Sequence, residues 1–188
     1  MKRYAGLVLL ALTAAPGLSA QASIVLPGRP LPPAHARMRD AAYVLRDTLV
    51  GVTSSAARLR RDFRTTSAAS LVSRAREMRD ACAASGRNIA APRAVLKETP
   101  ADSPLSEREK ARLLTAYGEL EAATARCVEQ FTPLSEAGKG EDVRGYGNRY
   151  GATVVDAIRS YERALDNYLR AMRIPNRPLG AGPDPLAG

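Results

Sequence analysis

The stretch that decides the fold is residues 35–63, HARMRDAAYVLRDTLVGVTSSAARLRRDF. His35, Met38, Ala42, Leu45, Leu49, Val52, Ala56, Leu59 and Phe63 recur in it at alternating steps of three and four. That spacing puts them on one stripe of an α-helix, the seam of a helix packed in a bundle. Pro33 suits the first helical position, where a missing N–H is no loss. Gly51 inside the run costs about 1 kcal/mol relative to Ala, but the seam passes through it unshifted, so one helix is expected over about residues 34–64.

Three more seams follow. Leu71, Ala75, Met78 and Cys82 mark a second helix, about 67–86, with Thr65, Thr66 and Ser67 as candidate caps and Ser85-Gly86 as its end. The link between the first two has neither Gly nor Pro, so one long bent helix is the alternative. Residues 88–104 hold Pro92, Pro100 and Pro104 and read as a connection with one helical turn around Arg93 to Glu98. Ser106-Glu107-Arg108-Glu109 reads as a capping box. It opens a third helix, about 105–132, whose seam is Leu113, Tyr117, Leu120, Thr124, Cys127 and Phe131 and which Pro133 is expected to end. The fourth, about 141–173, carries Gly147, Gly151, Val154, Ile158, Tyr161, Leu165, Tyr168 and Met172 on one stripe. Within it, Arg144 to Gly151 (RGYGNRYG) interleaves cations and aromatics, but the two glycines continue the stripe, which favours close packing over base stacking.

No alternating strand pattern occurs between these seams. The expected fold is therefore all-α: an up-down-up-down antiparallel four-helix bundle over 34–173. An extended arm, 23–33, with four prolines precedes it, and a Pro/Gly-rich tail, 174–188, read as disordered, follows it.

Residues 1–22 read as a signal peptide. Lys2 and Arg3 form a positive start, Gly6 to Ala15 is an apolar run too short to span a bilayer, and Ala20-Gln21-Ala22 fits a cleavage site. Cleavage after Ala20 is the alternative. The expected location is exported, periplasmic or secreted. Removing these 22 residues, Lys2 and Arg3 among them, leaves 166 of the 188 and lowers the net charge from +9 to +7. In an exported chain with two cysteines, both on core-facing seams, Cys82 and Cys127 are expected to form a disulfide.

Function is less legible. With one histidine, sites that need two imidazoles are excluded. Phosphate-loop, dinucleotide and nucleophile-elbow motifs are missing from the sequence. An up-down-up-down order brings His35 and Met38 to the same bundle end as Met172, a set that suits copper(I) or axial haem ligation. In architecture this resembles the b-type haem four-helix bundles, which hold haem between a Met of the first helix and a His of the last. Here the two residue types are exchanged. The basic residues are mostly arginine, and Arg58, Arg60, Arg61, Arg64, Arg74, Arg76 and Arg79 cluster around the link between the first two helices. They are candidates for an anionic envelope surface, although acids at helical spacing neutralise part of the charge. Nucleic acid is not an expected partner of an exported chain without a recognition motif. The leading expectation is a non-enzymatic, envelope-associated interaction or binding module with no cofactor, and the alternative is a copper- or haem-binding bundle.

Mass measurement of the exported protein is expected to give a chain that begins at Ser23. A chain that retains Met1 to Ala22 would refute the cleavage.

Overall fold

The computed structural model describes residues 31–62, 65, 67–136 and 140–176, with the backbone alone for 140–150. The signal segment, most of the arm, Phe63, Arg64 and the tail from Arg177 lie outside the described residues. Every described element is helical: α1 (Pro33–Asp62), α2 (Ala68–Arg87), α3 (Ala90–Glu98), α4 (Pro104–Glu136) and α5 (Gly140–Ala171). α1, α2, α4 and α5 are the four long helices, and α3 has nine residues.

The predicted seams form the core. Met38, Ala42, Leu45, Leu49, Val52 and Leu59 of α1 are buried together with Leu71, Ala75, Met78 and Cys82 of α2. From α4 come Leu113, Tyr117, Leu120, Cys127 and Phe131, and from α5 Val154, Ile158, Tyr161, Leu165, Tyr168 and Leu169. α1 runs unbroken through Gly51, where an added Cβ would meet nothing within 4 Å. α1 and α2 are separate helices. Ser67 caps α2 by accepting a hydrogen bond from the Ser70 N–H at 3.3 Å. Asp62, at the end of α1, pairs with Arg61 and reaches across to Arg74 of α2 at 3.2 Å.

Four local expectations need correction. Residues 88–104 hold more than one turn: α3 buries Pro92 and Leu96, and Ile89 ahead of it, so the segment is part of the core. The capping box is one turn earlier than read. Ser103 Oγ accepts from the Ser106 N–H at 3.1 Å while Ser106 Oγ accepts from the Ser103 N–H at 2.9 Å, which leaves Pro104 at the first helical position. Glu109 is instead buried beside Arg108 and Arg112.

Pro133 does not end α4. It removes one intrahelical N–H, but Leu134 is buried in the core, and α2 holds the turn beyond it through Arg76 on the Ser135 carbonyl and Arg79 on Ser135 Oγ. Arginines at a helix C-terminus satisfy its last carbonyls and complement its dipole. At the other end of the chain, α5 stops at Ala171 rather than at 173. Arg173 takes a left-handed φ of 55° and the Ile174 N–H returns to the Leu169 carbonyl at 2.8 Å, a Schellman-type turn with Ile174 buried. The first residues of the expected tail, 174–176, therefore lie against the helices, Ile174 buried and Pro175 and Asn176 hydrogen-bonded to α1.

α4 packs broadly against both α2 and α5, α1 packs mainly against α2, and the α1–α5 contact is narrower. Cys82 and Cys127 lie at disulfide distance on α2 and α4, both sulfurs buried. Closing a 45-residue loop stabilises the fold by about 4 kcal/mol in the chain-entropy model. The double variant Cys82→Ala/Cys127→Ala is expected to lose about that much in urea unfolding. An unchanged midpoint would contradict it.

Candidate functional site

The narrower α1–α5 contact has a cause in side-chain size. Thr53, Ala56 and Ala57 on α1 face Gly151, Ala152 and Val155 on α5, none larger than valine. The buried Gly151 backbone stands close to α1, so that a Cβ there would lie 3.8 Å from that of Ala56. Above this floor the two helices leave a groove with a volume of about 1060 Å³.

One end of the groove is closed by charge. Arg46 is 4% exposed and grips Glu162 with two parallel contacts, Nε to Oε1 at 3.1 Å and Nη2 to Oε2 at 2.8 Å. This fork-on-carboxylate geometry is the strong form of an ion pair. The third face of the guanidinium donates to Asn176 Oδ1 at 3.1 Å and Asn176 donates to Asp166 at 3.1 Å. Tyr43 lies under the guanidinium carbon at 5.7 Å from its ring centre and donates its hydroxyl to the Pro175 carbonyl at 3.1 Å. Burial pushes the Glu162 carboxyl up and Arg46 opposes the shift. Hydrogen bonds from Asn176 and Arg170 hold Asp166 down.

Behind this latch, Tyr117 of α4 and Tyr161 of α5 bring their hydroxyls to 3.4 Å with ring centres 5.0 Å apart. Burial is the first cause that raises both phenols, Tyr117 to about 12 and Tyr161 well above its ordinary value. Tyr168 is also pushed up to about 12, by burial and then by Asp102 and Glu107.

The flanks of the groove are different. Its three acids have partners: Asp156 pairs with Arg159, Glu162 with Arg46 and Asp166 with Arg170. Arg163 is exposed, donates to the Arg159 carbonyl and Ser160 Oγ, and has no carboxylate partner among the described residues. Arg60, exposed at the far end, has no carboxylate partner among the described residues.

The residues expected from sequence fall elsewhere. His35, Met38 and Met172 are all buried in the core, and the charged neighbour of His35 is Asp102, at 3.9 Å from Nε2. Among the described residues no group of three or more His, Cys, Asp and Glu is placed to hold a metal. Of the arginine cluster, Arg58 and Arg74 pair with Glu77, Arg61 and Arg74 with Asp62, and Arg76 and Arg79 hold the end of α4. Of the six described members of the cluster Arg60 lines the groove, and Arg64 lies outside the described residues. Sequence reading passed over Arg46, Glu162, Asn176 and Arg163. The available signal was Arg46 itself, a charge wedged between seam residues Leu45 and Leu49. Among the described residues no helix is long and apolar enough to cross a membrane. Comparison with protein-family models, curated proteins and solved structures finds no match.

The tyrosines give the site a pH signature. Because the folded state raises Tyr117 and Tyr168 above the ordinary value of 10, their contribution to stability is complete below pH 10 and is lost as pH rises through about 12. Tyrosinate absorbance over that range is expected to appear for these residues only as the helical circular-dichroism signal falls. Titration of all the tyrosines near pH 10 with the helical signal intact would contradict the burial argument.

Proposed function

We propose that the protein is an exported, non-enzymatic binding module whose working surface is the groove between α1 and α5. The groove carries this reading because it combines accessible apolar area with uncompensated positive charge. Outside it, the exposed large hydrophobic residues among those described are Val44 and Leu105, scattered singly as on any protein surface. Groove and cations together describe a site for an anionic partner with an apolar face.

The frame for the groove is an up-down-up-down antiparallel bundle, and the cross-helix contacts support that order. Contacts between α1 and α2 run Thr48 to Ser85, Arg58 to Glu77 and Asp62 to Arg74, rising on one helix and falling on the other. The same opposition joins α2 to α4 through Cys82–Cys127 and Arg76–Ser135, and α1 to α5 through Arg46–Glu162 and Ala56–Gly151. Export is supported by the signal-like segment 1–22 and by the disulfide, a bond that persists in oxidising compartments. The copper or haem alternative at His35, Met38 and Met172 draws no comparable observation from the structure.

An anionic naphthalene dye that fluoresces in apolar surroundings tests the surface. It is expected to bind the folded protein at one site, and Ala152→Trp, which fills the groove, is expected to weaken it about tenfold. Ala122→Trp, on the exposed face of α4, is expected to leave it unchanged. Equal binding by all three proteins would move the site away from the groove.

A further inference from the structure

The two unpaired arginines lie at different levels of the groove, and their separation describes the ligand. Arg163 follows Glu162, which is level with Arg46 through their ion pair. Arg60 lies fourteen residues beyond Arg46 on α1, and at 1.5 Å per residue the two cations are about 21 Å apart along the groove. Between them the floor is small and apolar, with Ala56, Ala57, Gly151, Ala152 and Val155. The charges within that span are already satisfied, Arg159 by Asp156 and Arg46 by Glu162.

We propose that the groove receives an acidic amphipathic helix from a partner protein, laid along α1 and α5 with one carboxylate at Arg60 and another, two heptads away, at Arg163. The proposal rests on the groove being the binding surface. Fourteen residues on a helix return to within about 40° of the same face, so carboxylates at i and i+14 point to the same side and match the spacing of the cations. Small side chains between them let a third helix approach α1 and α5 closely, in the way an amphipathic helix seats in an apolar groove. The volume, about 1060 Å³, lies just above the range of about 300–1,000 Å³ that small-molecule pockets occupy. A single-chain amphiphile has one charged end and would leave one arginine without a partner. A second copy of the exported chain, which carries +7 once Lys2 and Arg3 are removed from the +9 of the full sequence, brings the wrong overall sign.

The probe is a fluorescein-labelled alanine-rich peptide of about 18 residues, long enough to span the groove, with glutamates at two positions fourteen apart and leucines on the same face between them. Its partner in the experiment is the same peptide with lysines for the glutamates, and binding is followed by anisotropy to the full exported chain. The acidic peptide is expected to bind at least about tenfold more tightly than the basic one, and Arg60→Glu or Arg163→Glu to weaken it by about tenfold each. The double variant is expected to reverse the preference. Both arginines are exposed, so the variants keep the wild-type helical spectrum, which is checked alongside.

Equal binding of both peptides, or binding that both variants leave unchanged, overturns the proposal. If neither peptide binds while the dye still responds to Ala152→Trp, the helix is wrong and the groove stands. Displacement of the dye by decanoate or by phosphatidylglycerol vesicles but not by peptide assigns the groove to an amphiphile. Self-association that is lost in Ala152→Trp assigns it to a second copy. Either result overturns the helical partner. If the dye does not respond either, the reading of the groove itself fails.

Discussion

The ion pair of the buried Arg46 with the half-buried Glu162 is the constraint on which the open side of the molecule depends. A guanidinium withdrawn from water is tolerated only when its donors are satisfied, and Arg46 meets that condition with a bidentate carboxylate, an amide oxygen and an aromatic face. Satisfying it draws together three separate pieces of chain: α1, α5 and the residues that follow the end of α5. The Schellman-type turn at Arg173 directs the chain back over α1, so that Pro175 and Asn176 can complete the shell. The pair thus sets the distance between α1 and α5 at one level. The small residues beyond it decide that the space further along is left unfilled.

The contact between α2 and α4 is built by different means. α2 and α4 carry the disulfide, and the last turn of α4 is held by Arg76 and Arg79 from α2. A covalent staple and a gripped helix end hold those two helices together. The asymmetry bears on the proposed binding surface. A partner that enters between α1 and α5 meets a preformed surface, because the stapled half keeps both helices in place while the groove is filled. Preformed sites lose less free energy to ordering on binding than sites that must assemble.

Most of the fold was legible because seam spacing is a one-dimensional record of burial. Every seam residue named for α1 from His35 to Leu59, Ala56 excepted, is buried, and the half-buried Ala56 is a groove residue. The failures are also physical. Pro133 reads as a stop because local chemistry says so, and it is overridden by Leu134 in the core and two arginines from sixty residues upstream, which no local window contains. The capping box was misplaced because two serine-led candidates overlap, and only the hydrogen bonds distinguish Ser103 from Ser106. The site was the least legible part. A groove is an absence of side-chain volume shared between two helices far apart in the chain, and runs such as Ala56-Ala57 and Gly151-Ala152 read in sequence as ordinary close packing. Likewise the clustered arginines looked like free charge, whereas pairing disposes of the described ones other than Arg60, which with Arg163 from outside the cluster leaves two cations of the groove without a carboxylate partner among the described residues.

If the Arg46–Glu162 pair governs the α1–α5 side, its two members are not independent, and a double-mutant cycle followed by urea unfolding measures this directly. Arg46→Met alone leaves the half-buried Glu162 carboxylate without its cation, and the account predicts a loss of about 3 kcal/mol, the low end for pairs withdrawn from water. Arg46→Met/Glu162→Leu, which removes both charges, is predicted to recover most of it. A loss below about 1 kcal/mol for the single variant, the size seen for exposed pairs, or additive losses in the double, would contradict the account.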